Sequence, residues 1–229
     1  MAKLYGVSVG PGAPDLLTLR AVRVIKSCSV IAYPCAEGLD SFAKTIAAAH
    51  LRDDHIQIPI TMPMVASRFP AAEVYDTATI EIENYIRNGR DVAVLCEGDS
   101  MLYGSFMYLL ERLRHVEVEI VPGVSSIFAV SASASYPIVS RNETLSVVSG
   151  VLDDETLIKN LELADAVAIF KVGRHFMRLK ALLEKMGLLK HSIYVERASL
   201  DNEIVLPLDR ADGKAPYFSM ILVRKEPIG

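Results

Sequence analysis

Cysteine is scarce in this chain of 229 residues. The three present, Cys28, Cys35 and Cys96, show no Cys-x-x-Cys spacing. That argues against a zinc site or a disulfide framework and for small, buried, apolar roles. No apolar run approaches the ~20 residues that span a bilayer. The N-terminus enters a strand pattern without the charged and apolar regions of a signal peptide. The expectation is a cytoplasmic protein with no membrane partner. Positive charge is not in excess: 24 Lys+Arg face 28 Asp+Glu, a formal net charge of −4. That balance lacks the basic footprint of a nucleic-acid binder. The five histidines are scattered, without His-Glu-x-x-His or a triad order, and no metal is expected. G-x-G-x-x-G and G-x-x-x-x-G-K-[ST] are also absent, which weakens a dinucleotide or P-loop reading.

Apolar residues are plentiful, at 51%, enough for a sizeable core. Their periodicity alternates between strand and helix. Strands are expected at Lys3 to Val9, Ser29 to Tyr33, Ile56 to Ile60, Asp91 to Leu95 and Val116 to Val121. Pro59 argues that the third lies at a sheet edge. Helices are expected from Asp15, a plausible N-cap, to Lys26, and from Ser41 to His50. Two more run from Glu73 to Asn88, closed by Gly89, and from Gly104 onward. Residues 61–71 read as a loop. This alternation implies a largely parallel sheet with right-handed crossovers.

A boundary is placed near Tyr136-Pro137, giving two α/β domains over 1–137 and 138–229. The second restarts with a strand at Leu145 to Ser149 and a helix from Asp153 to Leu163. A strand at Ala166 to Phe170, a helix from Phe176 to Met186 and a strand at Ile193 to Glu196 follow. The strands Glu203 to Leu206 and Tyr217 to Val223 have no helix between them, which favours antiparallel pairing and a mixed sheet.

Three glycine-bearing loops follow strands of the first domain, where ligands of open α/β sheets bind. They are Val9 to Asp15, Cys96 to Ser105, and Val121 to Ser126. Together they suggest one composite site. Each also reads as a tight turn. Asp99 either caps the next helix or serves in a cleft as hydrogen-bond acceptor or base. Ser125 and Ser126 cap a helix or offer donors to a ligand. Tyr103 lies in the loop. Lys171 to Arg174 occupies the equivalent place in the second half, as solvated charge or as a grip on carboxylates.

The stretch Gly6 to Leu19, with Glu97-Gly98-Asp99-Ser100 and Val121-Pro122-Gly123-Val124-Ser125-Ser126, resembles the three motifs of the tetrapyrrole methyltransferases of cobalamin and sirohaem synthesis. Cys96 to Tyr108, Arg141 to Gly150, Tyr194 to Ala198 and Pro216 to Val223 resemble the branch that methylates the C-20 meso carbon of precorrin-2. The resemblance implies two α/β domains with S-adenosyl-L-methionine in the cleft between them, no metal, and a homodimer. It implies cofactor contacts at Pro11, Glu97, Gly98, Asp99, Leu102, Ser125 and Ser126. In the second domain it implies contacts at Lys171, Ala198 and Tyr217. Asp99 or Tyr103 is the candidate base, and Arg141 and Arg174 are candidates for gripping the substrate carboxylates. Two positions depart from the family pattern: Ala13 stands where Asp is usual, and Ser100 where Pro is usual. Ser100 is expected to free a backbone N–H and loosen the turn after Asp99. The cobalt-loaded precursor is an alternative substrate, and a non-catalytic binding module is a further alternative.

Overall fold

The computed structural model describes residues 2–62 and 69–226. The chain divides into two compact units, Met1–Ser126 and Ile127–Gly229. The division falls before the boundary expected near Tyr136-Pro137, one residue into a helix that opens at Ser126.

The first unit holds β1 (Leu4–Ser8), β2 (Val30–Ala36), β3 (Ile56–Met62), β4 (Val92–Cys96) and β5 (Val118–Val121). All pair in parallel in the order β3-β2-β4-β1-β5. Pro59 therefore sits on an edge strand, as its missing N–H requires. The helices are α1 (Leu19–Ser27), α2 (Phe42–Ala47), α3 (Phe69–Arg87) and α4 (Phe106–Arg112). Alternation along β1 separates two cores. Val7 and Val9 pack with α1 and α2 residues such as Ile25 and Ile46. Leu4 packs with Ile82, Phe106 and Leu109 of α3 and α4. On that second face Gly6 admits the Phe106 ring, since a Cβ there would lie 2.5 Å from Phe106 Cε1.

Two sequence expectations change. Asp15 does not cap α1: Pro14–Leu16 form a separate 3-10 turn and Leu17 is extended, so the helix starts at Leu19. Thr18 caps it, its Oγ1 accepting from Ala21 N at 3.1 Å. The expected loop over 61–71 begins later, because Thr61 and Met62 finish β3 in register with Cys35 and Ala36. Its residues 63–68 lie outside the described residues, and α3 opens at Phe69.

The second unit contains α5 (Ser126–Ser133), which starts on the last residue of the first, then β6 (Leu145–Ser149), α6 (Asp154–Leu163) and β7 (Ala166–Phe170). It continues with α7 (Phe176–Lys185), β8 (Ser192–Glu196), β9 (Ile204–Pro207) and β10 (Ser219–Arg224). The order is β6-β7-β10-β8-β9. Only β6–β7 is parallel; the final strands are antiparallel, but each pairs with β8 and not with the other. Buried side chains of α6 and α7, among them Leu157, Leu161, Phe176, Leu179 and Leu183, join the sheet residues Ile169, Tyr194 and Ile221 in one core.

Gly6→Ala drives a methyl into the buried Phe106 ring and is expected to cost about 1–3 kcal/mol in urea unfolding. His55 is buried, with Nδ1 accepting the Arg52 N–H at 3.0 Å. Its Nε2 is buried without a hydrogen-bond partner. Burial, then Arg52, lowers its pKa from the ordinary 6.5. The unfolded chain thus takes up this proton at higher pH than the folded one. The stabilisation is full above 6.5 and falls as pH drops toward the depressed folded value. Unfolding free energies at pH 7.5 and 5 are expected to differ less for His55→Leu than for the wild type.

Candidate functional site

The order β4-β1-β5 brings the three glycine loops together at the carboxyl ends of these strands. The first and second are joined by backbone. Gly10 N–H donates to Gly98 O at 3.2 Å, and Gly98 N–H to Gly10 O at 2.7 Å. Both glycines take positive φ, 82° and 63°, the left-handed region where a side chain is strained. A Cβ at Gly98 would meet only Ser126 N, at 3.9 Å, so this backbone borders open space.

Asp99 joins the second loop to the third. Its Oδ1 accepts Met101 N–H at 2.9 Å and its Oδ2 accepts Gly123 N–H at 3.0 Å. Asp99 therefore does not cap α4, whose N-cap residue is Ser105. Gly123 must be glycine, because a Cβ there would lie 2.5 Å from Ser8 Cβ and 2.9 Å from Gly98 O.

Ser100 does not loosen its turn. Its N–H donates to Ser8 Oγ at 2.9 Å, and Ser8 Oγ–H donates to Ser100 Oγ at 3.1 Å. The freed N–H is thus held rather than left loose. Ser8 escaped the sequence reading; its signal was a hydroxyl at the end of a strand otherwise made for burial. Ala13, the other departure, precedes the 3-10 turn and gives it no side-chain cap.

The remaining first-unit residues surround this junction. Pro11 follows Gly10 and Leu102 N–H closes a turn on Asp99 O at 3.1 Å. Glu97 is half-buried beside the start of α2, and burial pushes its carboxyl pKa up. Ser125 is buried and Ser126 opens α5. Tyr103 is exposed at φ 55°. Burial raises the Cys96 thiol to about 12, which removes it as a nucleophile.

In the second unit, Lys171 and Ala198 follow β7 and β8, and Tyr217 precedes the antiparallel β10. Register places all three at the same end of the sheet. Arg174 lies beyond Lys171 in the 3-10 turn Gly173–His175. Arg141 does not join them. It precedes β6, which runs parallel to β7, and so stands at the opposite end of the sheet. Its turn is tied by Glu143, which accepts Ser140 N–H at 2.7 Å and whose two oxygens share the Nη2 donor of buried Arg224. Sequence reasoning also missed the ties around Ala198. Glu196 accepts Tyr194 Oη–H at 2.8 Å and Arg197 at 2.7 Å. Glu203 Oε2 accepts Ser133 Oγ–H at 2.5 Å and Ser199 N–H at 2.6 Å. Among the described residues, no group of three or more His, Cys, Asp or Glu is placed to hold a metal ion. No described helix is long and apolar enough to cross a membrane.

The family model for tetrapyrrole (corrin/porphyrin) methylases matches residues 3–212. The chain belongs to that family. A cobalamin biosynthesis protein CobIJ of Mycobacterium tuberculosis is 38% identical over 96% of this chain and 45% of its own length. The chain thus spans about half the length of that relative. A precorrin-2 C(20)-methyltransferase of Sinorhizobium sp. is 32% identical over 97% of this chain and 95% of its own. A cobalt-precorrin-2 C(20)-methyltransferase of Salmonella typhimurium is 34% identical over 98% of this chain and 97% of its own. Among solved structures, a cobalt precorrin-4 methyltransferase shares the fold with TM-score 0.74 at 22% identity, covering 98% of this chain and 96% of its own. A uroporphyrin-III C-methyltransferase of Thermus thermophilus, complexed with S-adenosyl homocysteine, aligns at TM-score 0.69 and 24% identity, covering 97% of each chain.

Asp99→Asn sets an amide N–H against one of two backbone donors. It is expected to lower stability by about 1–3 kcal/mol and to speed hydrogen exchange at Met101 or Gly123, whichever the amide N–H faces. Unchanged exchange at both would remove Asp99 from its bridging role.

Proposed function

We propose that this chain transfers a methyl group from S-adenosyl-L-methionine to the C-20 meso carbon of precorrin-2, giving precorrin-3A in cobalamin synthesis. The observation that carries this reading is near-full-length similarity to two C(20)-methyltransferases, on a chain whose glycine loops converge. The donor fits the loops. Gly98 presents bare backbone to open space, Glu97 offers a half-buried carboxyl, and the serines after Gly123 offer hydroxyls. Pro11, Leu102, Ser125 and Ser126 complete the proposed contacts.

When bound, the sulfonium group supplies an already activated methyl, whose C–S electron pair returns to sulfur as the new C–C bond forms. The protein therefore needs no nucleophile of its own. Its task is to hold methyl and ring carbon in line, a proximity effect. Asp99 is assigned to loop geometry, because each of its oxygens already accepts a backbone N–H. Tyr103 is then the candidate to relay the substrate proton, its phenol oxygen taking the C-20 proton as its own proton passes to solvent. Lys171, Ala198 and Tyr217 are proposed for ligand contact, with Arg174 as the cation for a substrate carboxylate. Arg141 is the weaker choice for that role, since it lies at the other end of its sheet. A homodimer in the cytoplasm is the proposed working form.

The Salmonella relative supports a second substrate, the cobalt-containing precursor. Incubation with labelled S-adenosyl-L-methionine and precorrin-2, with and without inserted cobalt, separates the two. Label at C-20 is expected, and the faster substrate names the route. Binding of both ligands without methyl transfer would mean a binding module. Arg174→Glu is expected to raise KM for the tetrapyrrole about tenfold and leave KM for the donor near its wild-type value.

A further inference from the structure

Ser8 and Ser100 are both fully buried. Their paired hydroxyls serve a purpose that the turn itself reveals. Asp99 to Leu102 is a four-residue turn closed by Leu102 N–H donating to Asp99 O at 3.1 Å. Ser100 holds its second position. In the common turn types that position takes φ near −60°, which proline pre-sets through its ring. Serine leaves the angle softer and adds an N–H that the turn closure does not use. A buried N–H needs an acceptor, and Ser8 Oγ provides it at 2.9 Å. The same oxygen donates to Ser100 Oγ at 3.1 Å, so two contacts fix one residue. Gly123 closes the space above Ser8, its absent Cβ lying 2.5 Å from Ser8 Cβ.

We propose that Ser8 is a positioning residue for methyl-donor binding. Its hydroxyl holds the Ser100 turn in the shape that a proline ring would otherwise impose, and so sets where Gly98 and Asp99 stand relative to Gly10 and Gly123. The inference rests on the reading of these loops as the donor site. It differs from a purely structural role, because the predicted loss is in donor affinity and the remedy is local. Ser8→Ala orphans the Ser100 N–H. Ser8→Ala combined with Ser100→Pro removes that N–H and restores the angle.

The test is calorimetric binding of S-adenosylhomocysteine to the full chain, with steady-state kinetics and thermal unfolding. Ser8→Ala is expected to raise Kd about tenfold, with kcat at saturating donor within about twofold of wild type. The double variant is expected to regain most of the lost affinity. A lowered thermal midpoint with Kd unchanged in Ser8→Ala would overturn the proposal. So would a double variant that binds no tighter than the single one. Where Ser8→Ala does not fold, Ser8→Cys, a poor acceptor of similar shape, enters the same comparison. A wild-type chain that fails to bind S-adenosylhomocysteine overturns the methyl-donor reading instead.

Discussion

The Asp99 carboxylate bridges two loops whose strands do not touch. β4 and β5 lie on either side of β1, so the loops that follow them must meet across its end. Asp99 Oδ2 reaches Gly123 N–H there, while Oδ1 holds its own loop at Met101. The rest of the site depends on this tie. The Gly10–Gly98 bridge brings in the loop after β1, and the glycines let three backbones approach within a few ångström. A charge-assisted acceptor suits the position, because a carboxylate can accept from two donors at once where a hydroxyl or amide would leave one poorly served.

This tie explains what was legible beforehand and what was not. Alternating periodicity located nearly every strand and helix, because burial on one face writes itself into local sequence. Pro59 named its edge for the same local reason: a missing N–H cannot serve an inner strand. Local signals failed where two solutions competed within a few residues. Asp15 and Thr18 both suit an N-cap, and Pro14, at the first position of a separate 3-10 turn that takes in Asp15, leaves Thr18 to start the helix. Asp99 looked like a cap because sequence shows only its neighbours along the chain. Its partner Gly123 is far away in sequence and was found only through strand order. The same is true of Ser8, whose role belongs to Ser100.

The second unit shows the limit in another form. Arg141 and Arg174 looked equivalent as cations near strand ends. A residue before a parallel strand and one after its neighbour stand at opposite ends of the sheet, whatever their chemistry. The turn holding Arg141 has a sufficient structural reason in the Arg224–Glu143 pair. Lys171, Ala198 and Tyr217 share one end of the sheet only because β10 runs against β7 and β8, so that its beginning adjoins their ends. The ties made by Glu196 and Glu203 fix the loop that bears Ala198, in the manner that Asp99 fixes its own loop.

In both units, then, carboxylates near the loops accept backbone N–H groups or neighbouring side chains. The buried thiols are held in their neutral form, with Cys28 and Cys96 both raised to about 12. Such an arrangement suits chemistry whose electrophile arrives ready-made. Rate then depends on how closely two bound partners are aligned, and small losses of alignment are costly. A protein of this kind has reason to place its charge in ties between loops instead of in proton transfer. A buried hydroxyl at the end of β1 can then matter to binding without touching any ligand.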